Sequence, residues 1–487
     1  MSGRQSRRTA DQIARSPEST IALTGNTYLA ESVATYTDPG FIRLVELLRG
    51  SDIALANLEC TIPGAEDPPA FVAGTGWSAT YMPGTPAMLD DLKFLGINGL
   101  CTANNHISDF GDAGILSTIR HLKAAGLPQA GIGGSLREAT QPAFVNAPSG
   151  LRVAFLAASD WGPRASQGLN FPWPAGYFPS DDGPPFHPRP GVNLLRYESV
   201  SYVSREHIEQ LRRISKSLDW EQDKVLRRNG FWRSHQLVGP TTNLGVEVDT
   251  ENSVYFLGRK FVAADAPGSH TVLCREDADR IYAQVHEARR NADLVFVSLH
   301  DQSLGSELQD YVRDFAHGAI DAGADVYFSN GGIHGGIEMY KGKAVIFGQP
   351  SLFLQYDAIH HVPSSAKERF GLPPETSTEE FVRVRLEAER KAVLEAGPGA
   401  GITLEPGGGS VVHVCVFDGR VQLKEIRIHP LERLAGADVL SSRRGLPMLA
   451  TPGSDVCARI LQRSVETSAE LGTRVEIEAG VGVVRLV

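Results

Sequence analysis

Residues 96–111 read Gly96-Ile-Asn-Gly-Leu-Cys-Thr-Ala-Asn-Asn-His-Ile-Ser-Asp-Phe-Gly111. The first half is a short apolar run opened by glycine, the pattern of a buried strand. The second half is polar and carries two amides, an imidazole and a carboxylate. The same switch recurs on both sides. Ile21–Gly25 runs into Asn26, and Ile53–Ala56 runs into Asn57-Leu58-Glu59. Further on, Asp293–Leu299 runs into His300, and Asp325–Phe328 runs into Ser329-Asn330, with His334 just beyond.

Helical spacing fills the gaps between these runs. Phe41, Leu44, Leu47 and Leu48 recur on one helix face, and Pro86–Leu95, Gly114–Ala125, Asp277–Ala292 and Glu307–Gly323 repeat that pattern. Strand, loop and helix in alternation predict an α/β fold with many parallel strands. In such a sheet, sites form beyond the carboxyl ends of the strands. That is where Asn26, Glu59, Asn105, His106, His300 and His334 fall. Carboxylate, amide and imidazole groups converging there suit a divalent cation or acid/base chemistry.

The chain has 487 residues, with 47 Lys and Arg against 57 Asp and Glu, for a net charge of −10. That balance argues against nucleic acid as a partner, because such binders present a basic face. Five scattered cysteines without a C-x-x-C pair predict neither a disulfide framework nor a zinc ribbon, and fit a cytoplasmic setting. Residues 1–17 are polar and read as disordered, with no signal peptide or anchor, and no run is apolar enough to predict a membrane span. The expected organisation is a core over 18–355, with a proline- and aromatic-rich lid insertion over 162–250. A polar loop insertion over 356–410 and a β/α extension over 411–487 would complete the sandwich.

The ordered set of motifs resembles the family of the poly-γ-glutamate capsule biosynthesis protein CapA. It rests on Leu23-Thr-Gly-Asn-Thr-Tyr-Leu29, Ala56-Asn-Leu-Glu59, Thr102–Gly111, Gly131-Ile-Gly-Gly134 and Ile333-His-Gly-Gly-Ile-Glu-Met-Tyr-Lys-Gly342. The resemblance implies the four-layer αββα sandwich of calcineurin-like metallophosphoesterases. It implies a metal site at Asn26, Glu59, Asn105, His300 and His334, an acid/base role for His106, and an orienting role for Asp109.

The departures from the family pattern are informative. Asn26 stands where the family carries an aspartate, and Ser329-Asn330 stands where it carries Gly-His. An amide cannot bridge two cations as a carboxylate can. One divalent ion (Ca, Mn, Mg or Zn) is therefore expected rather than two.

Two His/Asp combinations, His106 with Asp109 and His300 with Asp301, would supply a base and an acid for exchange of a Cα proton. Some CapA-like proteins are epimerases of ribosomal peptides, lasso peptides included. The resemblance thus suggests a peptide or polypeptide substrate, its side chain held by Trp173, Tyr177 and Phe178. The alternatives are chemistry on poly-γ-glutamate, phosphoester hydrolysis, or a metal-free binding protein. No membrane partner is expected, and the oligomeric state stays open.

Overall fold

The structure is a computed structural model. It describes residues 18–69, 81–161, 190–228, 248–256, 259–301, 308–331, 335–355, 359, 362, 364–396, 409–434, 443 and 445–486. The N-terminal segment 1–17 and the candidate substrate residues Trp173, Tyr177 and Phe178 lie outside these residues, as does His334.

Two mixed sheets of ten strands each dominate. Along its main path the first sheet runs 476–478, 481–485, 423–433, 410–418, 18–28, 53–58, 99–101, 129–130. Its last four strands are mutually parallel, while Ser410–Asp418 pairs antiparallel to Glu18–Tyr28. The second sheet runs 253–256, 259–263, 194–203, 152–161, 294–300, 326–330, 343–349, 337–340. Its central strands, from Leu194–Val203 through Lys343–Gln349, are all parallel.

The central strands are buried on both faces, which is why they read as nearly unbroken apolar runs. Every residue of Ile53–Leu58 and of Leu294–His300 is buried. Alternate residues serve different cores. Leu23, Leu55, Phe155, Phe296 and Phe328 meet between the sheets. Ala22, Ala54 and Val414 face away, toward the helices Pro39–Gly50 and Met88–Leu95. Val295, Val297 and Tyr327 face away on the other side, toward Arg275–Asn291 and Asp310–Asp321. The layers are therefore helix, sheet, sheet, helix, the αββα sandwich that the sequence motifs implied.

Burial of a large apolar side chain contributes about 1.5–3 kcal/mol, so these three cores dominate the stability. The five cysteines are all free and buried. Among the described residues, no helix is long and apolar enough to cross a membrane.

Two expectations about the insertions need correction. Ahead of them, the apolar run Gln129–Gly133 divides between two sheets. Gly131 turns the chain with φ +111°, and its α-carbon passes so close to Ala103 that a Cβ would lie 2.6 Å from the Ala103 Cβ. Gln129–Ala130 then joins the first sheet, while Ile132–Gly133 pairs with Gly191–Val192.

The expected lid over 162–250 contains a working part of the second sheet, since Leu194–Val203 pairs parallel with Arg152–Trp161. It also holds two helices, Arg205–Ser217 and Trp220–Arg228, parted at Asp219 with φ +58°. The expected loop 356–410 holds the helices Ser364–Arg369 and Thr378–Ala396, which share a small core of Ala366, Phe381 and Val382. Its charges had masked a helix whose apolar face is narrow.

Candidate active site

The polar residues that follow the strands meet at one end of the sandwich, between the two sheets. A register shift between Leu23 and Asn26 sets Asn26 beside Asn57 on the neighbouring strand. On the facing sheet, His300 lies in register with Asn330 on one side and Ser159 on the other. Gly25 is required here for space, because a Cβ on it would fall 2.1 Å from the Pro350 carbonyl oxygen. That close approach docks Asn26 under the loop after Gln349, where its carbonyl accepts from Leu352 N–H at 2.9 Å.

His106 begins a short turn of 3₁₀ helix after Gly99–Cys101. Asn104 builds that turn. Its Oδ1 accepts from His106 N–H at 3.0 Å, and its Nδ2 donates to the Leu58 carbonyl at 2.7 Å. Thr61 Oγ1 then donates to the His106 carbonyl at 2.7 Å. The His106 Nδ1 lies 2.9 Å from Asp109 Oδ2, which also accepts from Met82 N–H at 2.8 Å. All of these groups are buried.

Burial alone would push the imidazole toward the neutral form. The charge and hydrogen bond of Asp109, helped by Glu59, outweigh it and hold the His106 pKa above its usual value. His106 paired with Asp109 is the arrangement expected from the sequence.

His300 sits differently. Its Nδ1 is 2.8 Å from Asn330 Oδ1 and its Nε2 is 2.9 Å from Asn105 Oδ1. Burial, with the nearby His106 charge adding to it, lowers its pKa to about 4 against the hydrogen bond of Asn330. It is a neutral imidazole at physiological pH.

The expected His300–Asp301 pair does not form. The two residues are neighbours on an extended strand, so their side chains point to opposite faces. The Asp301 charge falls instead on Tyr311 and Tyr327, under the outer helices.

Glu59 completes the cluster. Burial raises its pKa to about 7, although His106 and a hydrogen bond from Asn26 favour its charged form. Its Oε1 is 3.8 Å from His300 Nε2. Its Oε2 is buried and accepts no hydrogen bond among the described residues. Asn57 Nδ2 donates to Asn26 Oδ1 at 2.8 Å and approaches His300 Nδ1 at 3.4 Å. Asn26 is thus used as an amide, donating to Glu59 and accepting from Asn57. An aspartate would set a second negative charge against Glu59 with no donor between them.

The donor set fits one cation. A neutral imidazole has one proton for two nitrogens. Here both nitrogens face amide oxygens at hydrogen-bonding distance, and the Glu59 carboxylate lies alongside, its second oxygen without a hydrogen-bond partner among the described residues. Glu59, Asn105 and His300 would hold a hard or borderline divalent ion, while Asn26 shapes Glu59 from behind. Among the described residues, no group of three or more His, Cys, Asp and Glu side chains gathers as a ligand set. The amides are what complete this one.

Of the residues expected from the sequence, Asn26, Glu59, Asn105, His106, Asp109 and His300 converge, while Asp301 turns away. Asn57, Asn104, Asn330 and Ser298 belong to the cluster and were not among the candidates. Asn57 precedes Glu59 by two residues on the same strand, so the period of two could have marked it. Ser298 precedes His300 in the same way.

The sequence model of the family described as bacterial capsule synthesis protein PGA_cap matches residues 7–350. Two uncharacterized proteins of Sinorhizobium fredii (strain NBRC 101917 / NGR234), y4sH and y4uA, are each 28% identical over 483 residues, covering 96% of this chain and 93% of their own length. Among solved structures, one similar chain is provisionally named a 5′-nucleotidase, from Staphylococcus aureus in complex with α-ketoglutarate. It is 9% identical with a TM-score of 0.33, and the alignment covers 83% of this chain and 52% of that one. This chain therefore spans about half the length of that structure.

Proposed function

We propose, from the premise that this chain belongs to the bacterial capsule synthesis protein family PGA_cap, that it is a metal-dependent enzyme whose His106–Asp109 pair moves a proton on a peptide substrate. The observation that carries this reading is the buried Glu59 carboxylate, whose Oε2 has no hydrogen-bond partner among the described residues and whose Oε1 lies 3.8 Å from His300 Nε2, near an imidazole paired with a carboxylate. A buried carboxylate with an open oxygen is costly unless a cation or a substrate donor meets it.

A divalent ion held by Glu59, Asn105 and His300 would supply Lewis-acid polarisation of a substrate carbonyl. The chain's own groups do the rest. Asp109 holds the Nδ1 proton of His106, which leaves Nε2 to take or give a proton. Asn104 and Thr61 fix the turn that carries it.

The specific reaction we favour is exchange of a Cα proton, leading to epimerisation. His300 is no second base beside Asp301, so the sequence-level scheme of two His/Asp pairs is replaced by a single pair. Polarising a peptide carbonyl would acidify the adjacent Cα–H; His106 Nε2 would accept that proton, the electron pair would pass to the enolate oxygen, and water reaching the opposite face would return a proton to Cα. A second reading, hydrolysis of a phosphoester, is favoured by one observation. The raised pKa of His106 suits a proton donor to a leaving group.

One experiment separates the two. The protein is incubated with Mn²⁺ and a pool of synthetic peptides in heavy water, beside p-nitrophenyl phosphate in a parallel tube. Deuterium at Cα, lost in His106→Gln and rising with pH as His106 deprotonates, supports the peptide reading. Phosphate release that falls as pH rises supports the other. Neither activity, under conditions where Mn²⁺ binds, would sink both.

A further inference from the structure

We propose that Asn330 is a positioning residue that fixes the tautomer of His300, keeping the proton on Nδ1 so that Nε2 faces Glu59 and Asn105 as a bare lone pair. The contact between Asn330 Oδ1 and His300 Nδ1, at 2.8 Å, is the shortest the ring makes. The backbone sets it, because His300 and Asn330 are register partners on adjacent parallel strands.

The orientation of the amide is set as well. Asn330 Nδ2 donates to Ser298 Oγ at 3.1 Å, which turns Oδ1 toward the ring. Ser298 stands two residues before His300 on the same strand and so shares its face. The rival contact at Nδ1 is Asn57 Nδ2, which gives one N–H to Asn26 Oδ1 at 2.8 Å and reaches the ring only at 3.4 Å, longer than the Asn330 contact. Space closes the arrangement. Gly331 takes φ +93°, and a Cβ there would lie 3.1 Å from His300 Cε1 and 2.5 Å from the Asp301 carbonyl oxygen. The chain thus runs tight along the ring edge.

With the proton on Nδ1, the lone pair of Nε2 meets Asn105 Oδ1 at 2.9 Å and Glu59 Oε1 at 3.8 Å. Three electron-rich atoms turned toward one another repel unless a cation stands between them. Asn330 therefore does for His300 what Asp109 does for His106, with a neutral acceptor in place of a charged one.

The test reads the tautomer directly. Two-bond ¹⁵N–¹H spectra of ¹⁵N-histidine protein without metal are recorded for the wild type, Asn330→Leu, Asn330→Asp and Ser298→Ala. The His300 signal is assigned by its loss in His300→Gln. Calorimetric titration with Mn²⁺ follows on each sample. The wild type is expected to carry the proton on Nδ1. Asn330→Leu should move it to Nε2 and weaken Mn²⁺ binding by about 10- to 100-fold. Asn330→Asp should keep it on Nδ1 and bind Mn²⁺ at least as tightly.

A wild-type His300 protonated on Nε2 overturns the proposal, as does an Asn330→Leu protein with an unchanged tautomer. Should Asn330→Leu not fold, Ser298→Ala decides, since an undiminished Nδ1 proton there overturns it too. The Mn²⁺ measurement rests on the one-ion reading of the site and the tautomer does not. A tautomer controlled by Asn330 in a protein that binds no Mn²⁺ leaves this proposal standing and removes that reading.

Discussion

His106 and His300 are both fully buried, at strand ends on opposite sheets, and the same loss of water pushes both toward neutrality. They end in opposite states. A carboxylate 2.9 Å from His106 raises it above the usual histidine value, while two amides leave His300 at about 4. Burial therefore does not set the charge of a histidine here; the formal charge of its nearest partner does. One cluster holds both a group fit to exchange protons and a group fit to offer a permanent lone pair.

The largest expected effect breaks the His106 side. Replacing His106 by Gln should lower turnover by about 10²- to 10⁴-fold, the usual contribution of one acid/base group. Melting should stay close to wild type, because Gln can still donate to Asp109. Steady-state rates on the active substrate, with circular dichroism to confirm folding, check this. A sharper version replaces Asp109 by Asn, which makes the first histidine resemble the second. Its pKa should then fall below 6.5, and the acid limb of the pH–rate profile should shift down with it.

Glu59 tests the balance between the two. Its pKa is about 7 in the folded protein against 4.5 when exposed. The folded state keeps its proton longer than the unfolded state, so this stability is present below pH 4.5 and is lost as pH rises through 7. The loss is roughly 3 kcal/mol for a fully buried group at this separation. His300 runs the other way. Its folded pKa of about 4 lies below the ordinary 6.5, so its stability is present above pH 6.5 and is lost as pH falls through 4. Urea midpoints of metal-free protein at pH 5.5 and 8 should show Glu59→Gln falling less than wild type. An identical fall in both would remove Glu59 as the cause.

Metal addition relieves the same strain. Mn²⁺ should raise the melting temperature more at pH 8 than at pH 6, and its binding near pH 6 should release a proton measurable as buffer-dependent heat. The smallest effect expected is that of Asn26→Asp. Without metal it removes a donor to Glu59 and adds a like charge, costing about 1–3 kcal/mol. Part of that cost should return when Mn²⁺ is added.

Much of this was legible in the chain. Glu59, Asn105, His106 and His300 could be named because each follows an apolar run, and that switch is a local signal; Asp109 was named from the family resemblance. The α/β class followed from the alternation of runs, and the αββα layering was what the family resemblance implied. Leu194–Val203 was hidden because its alternation sits among prolines and charges, and only its pairing with Arg152–Trp161 reveals a sheet strand.

The sequence by itself determined the strand ends, the chemistry placed on them and the pairing of His106 with Asp109. That pair lies three residues apart in one turn, and local geometry suffices to join it. Only the tertiary structure decided that His300 faces Asn105 and Asn330 rather than Asp301. The first of those partners is 195 residues away on the other sheet and the second is 30 away on the next strand. A strand's pleat turns sequence neighbours apart, and register brings distant residues together. The protonation state that decides what each histidine can do is set by those distant partners.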